Sequence, residues 1–202
     1  MLEALNNIDI GILLWINNHA SPFLDQIMLF ASAKFTWLPF YLFIIFLLSK
    51  KYKFKTLLIL LFVALTVTLT DQTSVHLFKN VFLRLRPCHQ PDILEKLRMI
   101  KGCGGQYGFV SSHAANSFGV VVFISLLMQK KWITYMMIFW GLLVIYSRVY
   151  LGVHFPFDVL GGSILGAIIG LLTARLFFIT DKRWGGLIIN KGSNTEKRDD
   201  DL

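Results

Sequence analysis

Residues 110–129 read VSSHAANSFGVVVFISLLMQ, twenty positions without an Asp, Glu, Lys or Arg. A helix of about 20 residues rises about 30 Å, the thickness of a bilayer's hydrocarbon core, and satisfies its own backbone hydrogen bonds, as lipid-exposed backbone must. The stretch therefore reads as a membrane span. It does not open on apolar residues: Ser111, Ser112 and His113 sit at its first turn. A serine cap and free backbone N–H groups make such a helix start a site for negative charge.

Four more charge-free runs flank it, at 35–49, 56–70, 132–147 and 159–174. Extended by a few residues, they give expected spans at 34–53, 56–78, 112–129, 132–150 and 156–178. The first is short alone and needs Lys34, Lys50, Lys51 and Lys53 to snorkel outward. The expected architecture is all-α, an integral membrane bundle of about five transmembrane helices in one domain, 1–182. An amphipathic N-terminal segment carrying Ile8, Ile12, Leu13, Trp15 and Ile16 would lie in the outer interface. Composition agrees: of 202 residues 55% are apolar and 16% charged, with mean hydropathy +0.60, whereas a soluble domain carries about 25% charged residues. A soluble enzyme, a disordered chain and a coiled coil are excluded.

Basic residues give the sidedness. Lys50, Lys51, Lys53 and Lys55 follow the first span, Lys130 and Lys131 the third, and Lys182, Arg183, Lys191, Lys197 and Arg198 the fifth. All fall on one side, which assigns that side to the cytoplasm, leaves the amino terminus outside and places the protein in the inner membrane. Residues 1–33 hold no Lys or Arg, and residues 1–21 have neither the basic start nor the cleavage site of a signal peptide. The net charge of +8 is mostly these loops, so nucleic acid is not an expected partner. Residues 183–202 read as a disordered cytoplasmic tail.

Seven basic residues break the pattern: Lys79, Arg84, Arg86, Lys96, Arg98, Lys101 and Arg148 map to the outer side. Any one alone reads as an interfacial anchor. Together they share the outer layer with two helix starts, one bearing Ser111, Ser112 and His113, the other Pro156 with His154 just before it and Asp158 in its first turn. Cations, histidines and helix N-termini on one face favour a bound phosphate.

Lys79 followed by Arg86-Pro87, then Ser111-Ser112-His113, then Ser147-Arg148 with His154 and Asp158, resembles the three-part signature of the type 2 phosphatidic acid phosphatase (PAP2) superfamily. The first and third parts match fully; in the second, Val110 stands for the usual Pro and Ser112 for Gly. The resemblance implies a phosphatase in which His154 attacks phosphorus to form a phosphohistidine, Asp158 orients it, and His113 protonates the leaving oxygen. Lys79, Arg86, Ser111, Ser112 and Arg148 would hold the phosphate. Neither a metal nor another cofactor is implied, and the chain lacks paired-carboxylate or His-rich ligand spacing.

A site at the outer ends of membrane helices implies a phosphorylated membrane lipid as substrate, its tails left in the bilayer. Candidates are undecaprenyl diphosphate, phosphatidylglycerophosphate, phosphatidate and lipid A phosphates, with a lean toward the first. The alternative is a non-catalytic membrane protein that binds or carries phosphorylated lipids. It has no use for the set of His113, His154 and Asp158. Asp71, inside the second span, reads as a structural contact with Gln72 or a neighbouring helix. Gly161, Gly162, Gly166 and Gly170 read as close helix packing, and Arg84 and His89 as surface residues. Cys88 and Cys103 share an outer loop, either bridged or free.

Overall fold

The computed structural model describes residues 2–100 and 102–183, so Lys101 and most of the expected tail lie outside the described residues. The described elements are α1 (Leu2–Asn18), α2 (Pro22–Ser32), α3 (Leu38–Tyr52), α4 (Lys55–Phe82), α5 (Ser112–Met128), α6 (Lys131–Tyr150) and α7 (Pro156–Arg183), with short turns between them. No strand occurs among the described residues beyond the single bridge Leu85–Tyr107.

Helices α4, α6 and α7 are long and apolar enough to cross a bilayer. The 17-residue α5 is shorter, at the lower limit for a span. The first span differs from the expected continuous 34–53. It consists of α2 and the segment Phe35–Tyr52, bent against each other by 79°. Ser21 caps α2 by accepting from the Leu24 amide at 3.3 Å, and Pro22 occupies its first turn. The break at 33–34 survives because side chains satisfy the carbonyls it frees. The Thr36 hydroxyl donates to Phe30 and Ala33 carbonyls at 2.6 and 2.7 Å, and Trp37 Nε1 donates to the Ala31 carbonyl at 2.9 Å.

The inner half of the bundle is an apolar core of Ile44, Leu48, Ile59, Phe123, Ile124, Leu127, Met137, Trp140 and Phe177. Helices α5 and α7 cross through it in backbone contact. A Cβ at Gly162, Gly166 or Gly170 would strike the carbonyl of Ser111, Ala115 or Gly119 respectively. Tyr52 and Lys51 donate to the last carbonyls of α5, Leu127 at 2.6 Å and Met128 at 2.9 Å. Lys55 pairs with Asp181 across the same end.

Helix α1 docks on the outer half through polar residues. Asp9, Leu13 and Asn17, one turn apart on one face, are fully buried, while Ile8, Ile12 and Trp15 stay exposed. Asn17 accepts from the Arg98 amide at 2.7 Å and donates to the Tyr150 carbonyl at 2.9 Å. Leu13 thus belongs to the core, and not to the outward face expected of it.

Candidate active site

Two helix starts and one distorted helix place the expected residues together. The regular turns of α4 give way to a π-helical segment at Ser74–Lys79, a wider turn of a kind that recurs at functional sites. It brings the Lys79 ammonium to 2.6 Å from Ser112 Oγ, which also lies 2.6 Å from Ser74 Oγ. Ser112, where the family pattern has Gly, therefore holds the lysine in place. Ser111 is the cap of α5, extended at φ −70° and ψ 114°, and its own amide donates to the Asp158 carbonyl at 2.9 Å. That bond ties the start of α5 to the first turn of α7.

Arg86 lies in the loop after α4 and donates to the Cys103 carbonyl through Nη1 at 3.0 Å and to the Tyr107 carbonyl through Nε at 3.2 Å. Cys88 and Cys103 are bridged, with Cα atoms 6.0 Å apart, so the covalent link closes the segment that carries Arg86 onto the segment that holds its guanidinium. Arg148, 7% exposed at the end of α6, donates through Nη1 to Ser32 Oγ at the broken first span. Its Nε is buried without a protein partner, a free donor beside the site.

His154 and Asp158 are buried, at 1% and 0% exposure. Asp158 Oδ2 lies 3.4 Å from His154 Nδ1 and accepts from the Phe155 amide at 3.0 Å. With Nδ1 facing the carboxylate, Nε2 is the nitrogen left for chemistry. Burial holds the imidazole well below its ordinary pKa, helped by Arg86, Arg148 and Lys79 and opposed by a backbone hydrogen bond with Gly108. His154 is thus neutral, with a lone pair available, at neutral pH. Gly108 also has a steric role, since a Cβ there would come within 2.7 Å of Asp158 Oδ2.

Arg84 differs from the surface role expected of it. Its guanidinium pairs with Asp158 Oδ1 at 2.8 Å and with Asp9 Oδ2 at 2.6 Å. Arg84 is thus a half-buried cation bridging two buried carboxylates. His89 is exposed as expected. Of the two partners expected for Asp71, Gln72 pairs instead with His76 at 3.1 Å, while Asp71 shares a cavity wall with Ser112, His113 and Asn116 of the neighbouring α5. The sequence reading missed Asp9, Ser32 and Ser74 altogether. For Asp9 a signal existed: a carboxylate set between Ile8 and Ile10, with no Lys or Arg in residues 1–33, demands a distant partner.

Two cavities meet at the broken span. One of about 440 Å³ is lined by Ser32, Lys34, Arg86, Gly104, His113 and Arg148. The other, of about 480 Å³, runs down among Trp37, Phe40, Ile44, Val67, Val120 and Trp140. Both include Ser32, Ala33, Lys34 and His113. Among the described residues no group of three or more His, Cys, Asp or Glu side chains is placed to hold a metal ion.

The PAP2 superfamily model matches residues 56–181, which contain all eight residues expected at the site. The chain belongs to the PAP2 superfamily. It is a multi-pass membrane phosphatase of that family, and its similarity extends beyond the matched domain. It is 36% identical to a lipid A 4'-phosphatase of Bacteroides thetaiotaomicron over 90% of this chain and 81% of the relative. A Sulfolobus acidocaldarius undecaprenyl-diphosphatase is 30% identical over 80% of this chain and 74% of that protein. A crystal structure of a transmembrane PAP2-type phosphatidylglycerolphosphate phosphatase from Bacillus subtilis superposes with a TM-score of 0.65 at 25% identity, covering 86% of each chain. Aquifex aeolicus LpxE shares the fold, with a TM-score of 0.60 at 24% identity over 82% of this chain and 93% of the other.

Proposed function

We propose that this membrane lipid phosphatase hydrolyses a phosphate monoester of a lipid A-type glycolipid through a phosphohistidine on His154. The observation that carries the reading is the junction of the two cavities. A cationic one bearing Arg86, His113 and Arg148 shares its wall with an apolar one inside the bundle. A phosphorylated head group with an acyl chain matches that pair of environments, whereas a soluble phosphate ester leaves the apolar cavity without an occupant. Similarity also shifts the weight from undecaprenyl diphosphate to lipid A, since the Bacteroides thetaiotaomicron lipid A 4'-phosphatase and one of Porphyromonas gingivalis match at 36% and 35% identity over 90% and 92% of this chain.

In the proposed reaction Nε2 of His154 attacks phosphorus while the bond from phosphorus to the sugar oxygen breaks, and His113 gives its proton to that oxygen. Asp158, against Nδ1, stabilises the positive charge that the ring gains. Lys79, Arg86, Arg148, Ser111 and the Ser112 amide hold the equatorial oxygens, where negative charge accumulates. Water deprotonated by His113 then attacks phosphorus, the P–N bond breaks, and inorganic phosphate leaves. The sidedness of the lysines supports placing this site on the outer face of the inner membrane. Reporters fused after Lys53 and in the loop at 91–105 should then read opposite sides.

The test is phosphate release in detergent from lipid A, undecaprenyl diphosphate, phosphatidylglycerophosphate and phosphatidate, with and without EDTA. The reading expects lipid A to give the highest kcat/KM, unchanged by EDTA. Release from none of them, with binding retained, would favour the carrier reading.

A further inference from the structure

The residues around Asp158 form a chain that continues past the expected site. Asp158 Oδ2 faces His154 at 3.4 Å, Oδ1 accepts from Arg84 Nη1 at 2.8 Å, and Arg84 Nη2 donates to Asp9 Oδ2 at 2.6 Å. The other oxygen of Asp9 accepts from the Phe157 amide at 2.8 Å, in the first turn of α7. Arg84 also stacks on Phe155, its Cζ 4.2 Å from the ring centroid. Both carboxylate oxygens of Asp158 and of Asp9 are thereby engaged, and both residues are fully buried.

We propose that Asp9 and Arg84 are positioning residues for the nucleophile, so that the N-terminal helix is a working part of the catalytic centre. This rests on the roles given above to His154 and Asp158. Asp9 lies outside the family-matched region 56–181, 75 residues from Arg84 in sequence. Few structural tasks need a fully buried carboxylate there, because a buried charge is costly and an apolar residue would dock α1 more cheaply.

The charges suggest what Asp9 does. Two carboxylates share one guanidinium, which leaves the group with a net negative charge beside His154. The imidazole gains positive charge as the P–N bond forms, and that negative charge stabilises it. Without Asp9, Arg84 pairs with Asp158 alone and cancels its charge where the ring needs it. Asp9 also accepts from the free Phe157 amide, fixing the turn from which Asp158 projects.

The effect should therefore fall on turnover and not on substrate binding, since neither residue lines the cationic cavity. The experiment compares purified full-length wild type with Asp9→Asn, Arg84→Lys, Arg84→Gln and Asp158→Asn in detergent. It measures kcat and KM for the best lipid phosphate together with the melting temperature. Asp9→Asn should lower kcat about 10- to 100-fold, the scale of a small misplacement at a reacting centre, with KM within about twofold. Arg84→Lys keeps a cation without the fork and should retain more activity than Arg84→Gln. Should Asp9→Asn fail to fold, Arg84→Lys carries the test, with the same split between kcat and KM expected. Wild-type kcat in the folded Asp9→Asn or Arg84→Lys protein would overturn the proposal, as would a change confined to KM or to melting temperature. Wild-type kcat in Asp158→Asn would instead overturn the underlying assignment of the site.

Discussion

The two ends of the α5–α7 crossing are held by different means. Toward the end that carries Lys51 and Lys55 the helices meet through glycine and apolar side chains, with Gly166 and Gly170 against α5 and Phe123 against Phe177. Toward the site the close approach of Gly162 to the Ser111 carbonyl is joined by polar bonds, from the Ser111 amide to the Asp158 carbonyl and from the Asp158 side chain through Arg84 to Asp9 of α1. Nearby, Asp25 pairs with Arg98 through two bonds of 2.8 and 2.5 Å. In lipid, helix association draws little on the hydrophobic effect and depends on close packing. The apolar end therefore depends on backbone contact and apolar packing, while the site end adds directional bonds that aim particular atoms. One end keeps the bundle together and the other places charges.

That division can be broken most sharply at the site end. His154→Ala should reduce turnover by roughly 10⁴-fold or more on every substrate, because no leaving group replaces a missing nucleophile. His113→Ala should lose roughly 10²- to 10⁴-fold on a lipid, the scale of general acid catalysis. It should recover much of that loss on p-nitrophenyl phosphate, whose leaving group needs no proton. Parallel kinetics with both substrates check this, and equal losses on both in His113→Ala would remove its role as acid.

At the apolar end the expected damage is to stability. Gly166→Ala places a methyl group against the Ala115 backbone, and overpacking of this kind costs about 1–3 kcal/mol. Melting in detergent should shift down while the kcat of the folded fraction holds. An unchanged melting temperature would mean that the crossing is looser than the glycines imply.

The smallest expected effect concerns pH. Burial keeps His154 neutral well below the ordinary imidazole pKa, whereas the unfolded chain protonates it near 6.5. Between those two values the unfolded state binds the extra proton, so stability falls as pH drops below about 6.5, by at most about 1.4 kcal/mol per unit. Melting temperatures measured between pH 7.5 and 5.5 should decline, and His154→Phe should flatten that decline. An identical slope in the variant would assign the acid sensitivity elsewhere.

The contrast also explains how much was legible in the sequence. Charge-free runs report the apolar end directly, so four of the five expected spans coincide with α4 to α7 within a few residues. The break in the first span escaped that reading because Thr36 and Trp37, which satisfy its carbonyls, look like ordinary span residues. The candidate site residues Lys79, Arg86, Ser111, Ser112, His113, Arg148, His154 and Asp158 could be named through the spacing of a known family. Their supports could not. Arg84 reads as one more loop cation until Asp9 is brought beside it from 75 residues away. Ser32 acquires meaning only against Arg148, 116 residues on. Such pairings leave no period in the sequence.

In the proposed reaction the polar end of the bundle aims His154 at phosphorus. Wild-type protein mixed with lipid phosphate labelled at the phosphorus and quenched during turnover tests it most directly. The account predicts protein-bound label that is acid-labile and base-stable, maps to the peptide containing His154, and is absent from His154→Ala. Label on another residue, or turnover in His154→Ala at a rate near wild type, would contradict it.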